Sequence, residues 1–450
     1  MSLADIDVSY QSPSRLIKKP TFDELVLSHH TDIEELADIP CFFWGEITEP
    51  LPTAKALMCL SRVVRSSFAP IPVSLRDPII SAGRDELRFE GFSSCNGVYA
   101  RLDLLSDGMD GEFIAHGTTN VDFNEPMINA LNAVKKNELM MMSVGDKEVN
   151  ISTDVGNIKE KKVKLPDRWI KGLTSVQVYM ADMVEIFRLN KMQSMQFFNT
   201  IPKSKNNATL YLTYKLNKVV ISPIYAKGSI KVGGLERLRL LENLVPYIDN
   251  MVFFQNINDD KDSQSMAIQI YMKHMRLTLA ISPHNHRGFS GKGNILQKIT
   301  HELPTEYIYA FNHLLKSNEN FDPTTLAIDN DLYIDDVKSL TTHLSMIGLL
   351  GFDLYSDSYY YRRLPFNMNK LLSLNPRLNN AKKLIKDDNI TLVHHRPNDT
   401  LAHVKSGEHT YTVVITDTHA KCTCQWYAKH QTKRGLCKHI LGVQMMINAL

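Results

Sequence analysis

The sequence predicts an α+β chain of several domains: mixed sheets with helices, a winged-helix-like segment, and a small C-terminal ββα module closed by a metal. Three observations predict it. Short runs that alternate apolar and polar residues recur beside amphipathic helical stretches through the first two thirds of the chain. Around residues 321–366 the order becomes helix, helix, hairpin. At the C-terminus Cys422, Cys424, Cys437 and His439 stand at metal-ligand spacing ahead of an apolar helix. The expected division is an N-terminal α+β region over 1–160, a central α+β region over 161–320, the winged-helix-like segment over 321–396 and the zinc module over 397–450.

Residues 1–40 are polar and read as an irregular arm. A helix is expected over 54–67, with Ala56, Leu57, Leu60, Val63 and Val64 on one face. Strands follow at Gly97–Leu104 and Glu112–Phe123, with turns at Asp107-Gly108 and Asp110-Gly111. A helix at 125–136 and a strand at 148–153 complete the first region. The lysine-rich stretch 157–168 reads as a solvated linker or, alternatively, as a nucleic-acid patch. Asp167 is placed to cap a helix over Trp169–Leu189. Strands are expected at 208–214, 218–226, 251–255, 265–272 and 275–281, with a helix at 234–244.

Asp322-Pro323 opens a short helix. An amphipathic helix over Asp335–Leu349 carries Val337, Leu340, Leu344 and Ile347 on one face. Two strands, Leu349–Leu354 and Tyr359–Leu364, turn at Ser356-Asp357-Ser358. Helical residues within 367–388 and strands at 390–395, 401–404 and 410–415 lead into the metal-binding tail.

With 450 residues and 43% hydrophobic content, the chain can bury several cores. Lysine and arginine total 51 against 49 acids, a net charge of +2, so any nucleic-acid-binding surface must be local. No apolar run reaches the ~18 residues of a membrane span. The start MSLADIDVSYQSPSRLIKK lacks the apolar core of a secretory signal, and a cytoplasmic location is expected. Cys41, Cys59 and Cys95 are scattered and read as buried apolar thiols.

The clustered cysteines read differently. Cys422-Thr-Cys424 is followed, twelve residues on, by Cys437-Lys-His439. In an extended strand, residues i and i+2 face the same way, so Cys422 and Cys424 would offer both sulfurs to one ion. The second pair sits at the start of an apolar helix beginning Ile440-Leu441. Three thiolates and one imidazole are a standard structural set for Zn²⁺, and a closed set leaves no position for catalytic water. One structural zinc is therefore expected, supplying apparent folding energy on the order of 10 kcal/mol to this small module. His419 and His430 read as solvated loop histidines.

This order and spacing of ligands resembles the SWIM zinc finger. Gln425 stands where bacterial relatives often carry proline. The phrases GFDLYSDSYYYRRLPF (351–366), NPRLNNAKKLI (375–385) and CQWYAKHQTKRGLCKH (424–439) resemble a bacterial family of SWIM zinc finger proteins of similar length, as do GGLERLRLLENL (233–244) and SPHNHRGFSGKG (282–293). Genes of that family often neighbour those of MoxR-type AAA+ ATPases and von Willebrand factor A proteins. The resemblance implies an accessory role beside such an ATPase, with one of those proteins as partner.

From Ala420 onward the chain holds Lys421, Lys429, Lys433, Arg434 and Lys438 and no acid, with Trp426 and Tyr427 among them. Such a set meets phosphates and stacked bases. It meets an acidic protein surface equally well, and a solvated basic face is the plainer alternative. In the winged-helix-like segment, Asp335 and Asp336 would repel phosphate from the helix end that usually reads DNA. Lys338 is the lone lysine of that helix, and Arg362 and Arg363 are its better phosphate candidates. The 288–293 glycines fail as a phosphate loop: His286 replaces the first glycine and Gly293 the Ser/Thr after lysine. His284 and His286 could seed a second metal site but have no Cys or acid nearby in sequence. No nucleophile elbow or His-Glu-x-x-His motif occurs, and no catalytic residue or small-molecule substrate is assigned. The expectation is a non-catalytic, zinc-binding interaction protein with a protein partner; the alternative is nucleic-acid binding through the basic module and winged helix.

Overall fold

The computed structural model describes residues 7–8, 15–18, 23–26, 42–68, 78–83, 85–114, 117–120, 125–136, 140–144, 163–164, 167–204, 209–256, 265–282, 288–289, 320–346, 348–362, 364, 376–431 and 435–448. Two compact units divide the chain. The first comprises Met1–Ser290 with Gly351–Pro365, the second Gly291–Leu350 with Phe366–Leu450. Helices and mixed sheets build both, an α+β architecture.

In the first unit the largest sheet has eight strands in the order β12 (Met183–Asn190), β16 (Asn250–Asn256), β17 (Met266–Met272), β18 (Met275–Ile281), β7 (Val98–Leu104), β6 (Leu87–Phe92), β5 (Ile79–Ala82) and β9 (Gly117–Asn120). A five-stranded sheet orders β2 (Arg15–Lys18), β3 (Asp23–Val26), β10 (Met140–Val144), β4 (Phe43–Ile47) and β8 (Met109–Phe113). Three strands, β14 (Lys218–Ser222), β13 (Thr209–Lys215) and β15 (Ile230–Gly233), form a third sheet. β1 (Asp7–Val8) pairs with β11 (Val163–Lys164). The helices are α1 (Pro50–Arg65), α2 (Glu125–Ala133), α3 (Asp167–Ala181) and α4 (Lys191–Thr200), with a 3-10 segment over Leu235–Tyr247.

Alternation decides which face of the large sheet is core. Val98, Ala100, Leu102 and Leu104 of β7 join Leu277 and Leu279 of β18 in one apolar cluster with Leu57 and Leu60 of α1. The opposite face carries Arg88, Glu90, Tyr99, Arg101, Asp103 and Arg276, all buried. Over it lies the hairpin β19 (Leu350–Asp353) and β20 (Ser358–Tyr361). Arg101 donates to the Phe352 carbonyl at 2.6 Å and pairs with Asp353 at 3.1 Å. Arg276 reaches the other Asp353 oxygen at 3.2 Å, and the Arg88 guanidinium lies 3.9 Å from the Tyr360 ring centre. Each buried charge thus has a partner, as a low-dielectric interior requires.

In the second unit α5 (Pro323–Asp329) and α6 (Ile334–Met346) precede α7 (Pro376–Lys386). A four-stranded antiparallel meander follows: β21 (Ile390–Arg396), β22 (Asp399–Ser406), β23 (His409–Thr416) and β24 (Ala420–Cys422). Two helices end it, α8 (Gln425–His430) and α9 (Lys438–Ile447). Asp322 caps α5 as its position suggests, accepting from the Thr325 N–H at 2.8 Å.

Several expectations need correction. Residues 183–190 are strand β12 and do not continue the helix that begins at Asp167; Val184 and Glu185 point outward while Phe187 and Leu189 are buried. Within 1–40, β1, β2 and β3 are strands in place of the expected irregular arm. Asp110-Gly111 is not a turn but lies inside β8, where Gly111 faces Gly45. α4 and α8 have no counterpart among the expected elements. The helices and the hairpin expected of a winged helix form, but the hairpin belongs to the first unit and the helices to the second. Arg362 is no phosphate candidate: it is buried, ion-paired with Glu90, and donates to the Leu173 carbonyl at 2.8 Å. The expected strand at 148–153, and Cys41, His284, His286 and Arg363, lie outside the described residues.

Candidate metal centre

The metal-ligand side chains converge from three elements. Cys422 ends β24, held in register by Val413 of β23. Cys424 is the N-cap of α8, its Sγ accepting from the Tyr427 N–H at 3.4 Å. Cys437 is the N-cap of α9, its Sγ accepting from the Ile440 N–H at 3.5 Å. His439 stands in the first turn of α9. The expected strand geometry for Cys424 is therefore replaced by a cap. A helix N-terminus offers unpaired N–H groups to a sulfur carrying negative charge, which an extended strand does not.

One ligand atom from each of these four buried residues lies within 4.8 Å of the others. His439 Nδ1 is 3.6 Å from Cys422 Sγ and 4.0 Å from Cys437 Sγ. Zinc–sulfur bonds of ~2.3 Å and zinc–nitrogen bonds of ~2.0–2.1 Å, set at tetrahedral angles, separate S and N by about 3.6 Å. The cluster fits one structural zinc. The donors also need a cation. The hydrogen bond from Cys422, with help from His439 and the Ile440 N–H, holds the Cys437 thiol down to about 4 against the effect of burial. Cys422 is pushed up by that same hydrogen bond and by burial, and Cys424 is pushed up by burial. Three sulfurs this close do not all ionise unaided; Zn²⁺ supplies the charge that lets them.

The surroundings fix the ligands. Tyr411 of β23 stacks on the His439 ring, 4.4 Å between centres and 26° between planes. His439 Nε2 is buried and has no hydrogen-bond partner among the described residues. Ring stacking thus takes the orienting place that an outer carboxylate usually holds at zinc-bound histidines. Trp426 Nε1 donates to the Gly435 carbonyl at 3.4 Å, and the Arg377 guanidinium of α7 lies 4.8 Å from the indole. Arg377 also donates to the Leu436 carbonyl at 3.1 Å, which ties α7 to the segment ahead of Cys437. Gly442 admits α7 and β21 beside α9: a Cβ there would meet Ile390 Cδ1 at 2.9 Å.

Of the expected partner-contacting residues, Lys421 and Lys429 are exposed, and Trp426, Tyr427 and Lys438 are half-buried. Lys433 and Arg434 lie outside the described residues. His430 packs its ring 4.4 Å from Trp426, and His419 bonds Thr416 and Thr418; neither joins the ligands. The roles of Arg377 and Tyr411 had no local signal, because both partners are remote in sequence.

The SWIM zinc finger family matches residues 411–447, the span from the Tyr411 strand to the end of α9, and the chain carries a SWIM zinc finger there. No curated protein matches the chain. Solved structures similar in part include proliferating cellular nuclear antigen of Entamoeba histolytica, at 9% identity and TM-score 0.33, covering 54% of this chain and 98% of that one. The PCNA2–PCNA3 complex of Sulfolobus tokodaii is similar at 8% identity and TM-score 0.34, covering 54% and 99%. At that level of superposition neither likeness carries an argument about this chain's function. No helix among the described residues is long and apolar enough to cross a membrane.

Proposed function

We propose that this is a non-catalytic, cytoplasmic binding protein whose zinc module presents a cationic face to nucleic-acid phosphates. One observation carries the reading: the segment that holds the metal ligands carries lysines and no acid from Ala420 onward. Lys421 and Lys429 are exposed, and α7, packed on α9, adds exposed Lys382, Lys383 and Lys386. Three thiolates with Zn²⁺ contribute about −1 formally, which these cations outweigh. Trp426 already meets Arg377 and Gly435, so charge and not base stacking carries the contact. Binding of this kind depends steeply on salt and weakly on sequence. Residues 321–366 serve structure or protein docking in this reading, since Asp335 and Asp336 head α6 and Arg362 is buried.

The test is retention of a labelled DNA duplex by the zinc-loaded full chain across a salt series. The Lys421→Glu, Lys429→Glu double variant is expected to lower both affinity and salt slope. Absent or salt-independent retention by the unaltered protein would end the reading. A second reading, an accessory subunit docking on an AAA+ ATPase or von Willebrand A protein, is supported by the family resemblance and the near-neutral net charge. It predicts co-purification with such a protein under native conditions, and consistent failure to recover one would count against it.

A further inference from the structure

From Lys191 to Leu235 the chain holds seven lysines and no aspartate or glutamate. Lys191, Lys203, Lys215, Lys218 and Lys227 are exposed, Lys231 is half-buried, and Lys205 lies outside the described residues. Three of them meet at one corner of the first unit. Lys215 and Lys218 face each other directly as the closing pair of the β13–β14 hairpin. Lys191 is the first residue of α4.

Gln193 locks these elements together. Its side chain completes a capping box with Asn190, accepting from the Asn190 N–H at 2.9 Å while Asn190 Oδ1 accepts from the Gln193 N–H at 3.0 Å. The same amide donates to Tyr214 Oη at 2.9 Å and to the Asn217 carbonyl at 3.1 Å. The helix start and the hairpin tip are therefore tied together by hydrogen bonds.

All three lysines stand where local electrostatics disfavours them. Like charges directly opposite on paired strands repel. A cation in the first turn of a helix opposes the macrodipole, which favours an anion there. Among the described residues none of the three has an acidic partner. The tip between the paired lysines is Leu216-Asn217, both at positive φ (49° and 60°), a conformation that suits asparagine or glycine and not leucine. Leu216 is 92% exposed, and Met192, next to Lys191 on α4, is 65% exposed. A folded chain gains nothing by itself from these placements; an anionic partner reverses the sign of each lysine's contribution.

We propose that this corner, Lys191, Lys215 and Lys218 around Leu216, is a second nucleic-acid contact, with the lysines on backbone phosphates and Leu216 against the groove. What the three placements share is charge, which favours backbone phosphates; an anionic bilayer, which the exposed Met192, Met195, Val220 and Ile224 would also meet, is an outcome of the test. The site is independent of the zinc-module reading.

The test uses the zinc-loaded full chain with substitutions Lys191→Glu, Lys215→Thr and Lys218→Thr combined. If the corner is built for an anion, the variant is more heat-stable than the unaltered protein, binds a 30-base-pair DNA duplex about tenfold or more weakly near ~100 mM salt, and loses about 2–3 from the log–log salt slope. A merely structural role for these lysines would lower stability instead. Unchanged duplex affinity and slope would overturn the proposal, as would a loss confined to anionic vesicles or poly-glutamate with duplex binding intact. The Lys421→Glu, Lys429→Glu variant, measured alongside, separates the two surfaces: weakening there alone refutes this corner and leaves the zinc module standing, and weakening at the corner alone does the reverse.

Discussion

Cys422 Sγ and His439 Nδ1 approach to 3.6 Å although one ends a strand and the other opens a helix. That separation matches the edge of a tetrahedron around Zn²⁺. α8, which begins right after Cys424, has no buried residue of its own, so the metal acts as the clip that holds it beside β24 and α9.

Elemental analysis of the purified protein should accordingly find one zinc per chain. Cys437→Ser should lose it, and a strong chelator should unfold the C-terminal module while leaving the first unit intact. Stoichiometric retention of zinc by Cys437→Ser would contradict the assignment.

Tyr411 predicts a subtler effect. Its ring orients His439 by stacking, with no hydrogen bond on Nε2 among the described residues to share the task. Tyr411→Ala is expected to keep zinc at stoichiometry but weaken its affinity about tenfold or more, read by competition with a chromophoric chelator. Tyr411→Phe keeps the ring and should restore it.

In the first unit, acid should act through Asp353. Burial pushes its carboxyl up, but Arg101, Arg276 and Arg88 together hold it below the usual carboxylate range. A folded-state pKa below the unfolded one gives stability that is full above the ordinary value and is lost as pH falls through the lowered one. Asp353→Asn should therefore flatten the acid limb of a stability-versus-pH curve. At neutral pH it should cost about 3–5 kcal/mol, since it strands buried guanidinium groups. Chemical denaturation at pH 7 and near pH 3 measures both.

The hairpin over the charged face depends on Gly351. A Cβ there would overlap the Tyr360 ring, so the ring must move. Gly351→Ala is expected to destabilise the first unit by about 1–3 kcal/mol, and Gly351→Val by more. An unchanged thermal midpoint for Gly351→Ala would show that Tyr360 swings aside freely.

The zinc module was legible because its signal is chemical and local. Cysteine and histidine at C-x-C and C-x-H spacing have few other uses together, and the meander ahead of them alternates cleanly enough to read as strands. Strands β17 and β18 were legible for a related reason: a period of two over seven residues, split by Lys273-His274, leaves little choice. The helix expected through residue 189 gives way to a strand at Met183, because Met183–Asn190 carries apolar residues that fit either period and pairing with β16 decides for the strand. Cys424 reads as a strand residue because cysteine is not among the residue types that mark an N-cap, so nothing local separates a cap from the end of a strand.

Alone, the sequence determined the donor atoms, their order along the chain and the near balance of charge, since these are properties of residues and short spacings. Tertiary structure decided which charges are spent and which remain. Arg362 and Arg101 are consumed inside the first unit, Trp426 is consumed by Arg377, and Lys215 and Lys218 are left opposed at a hairpin tip. Whether a cation is buried against a carboxylate or left facing water depends on strands brought together across hundreds of residues, and Coulomb energy depends on that distance in space, not along the chain.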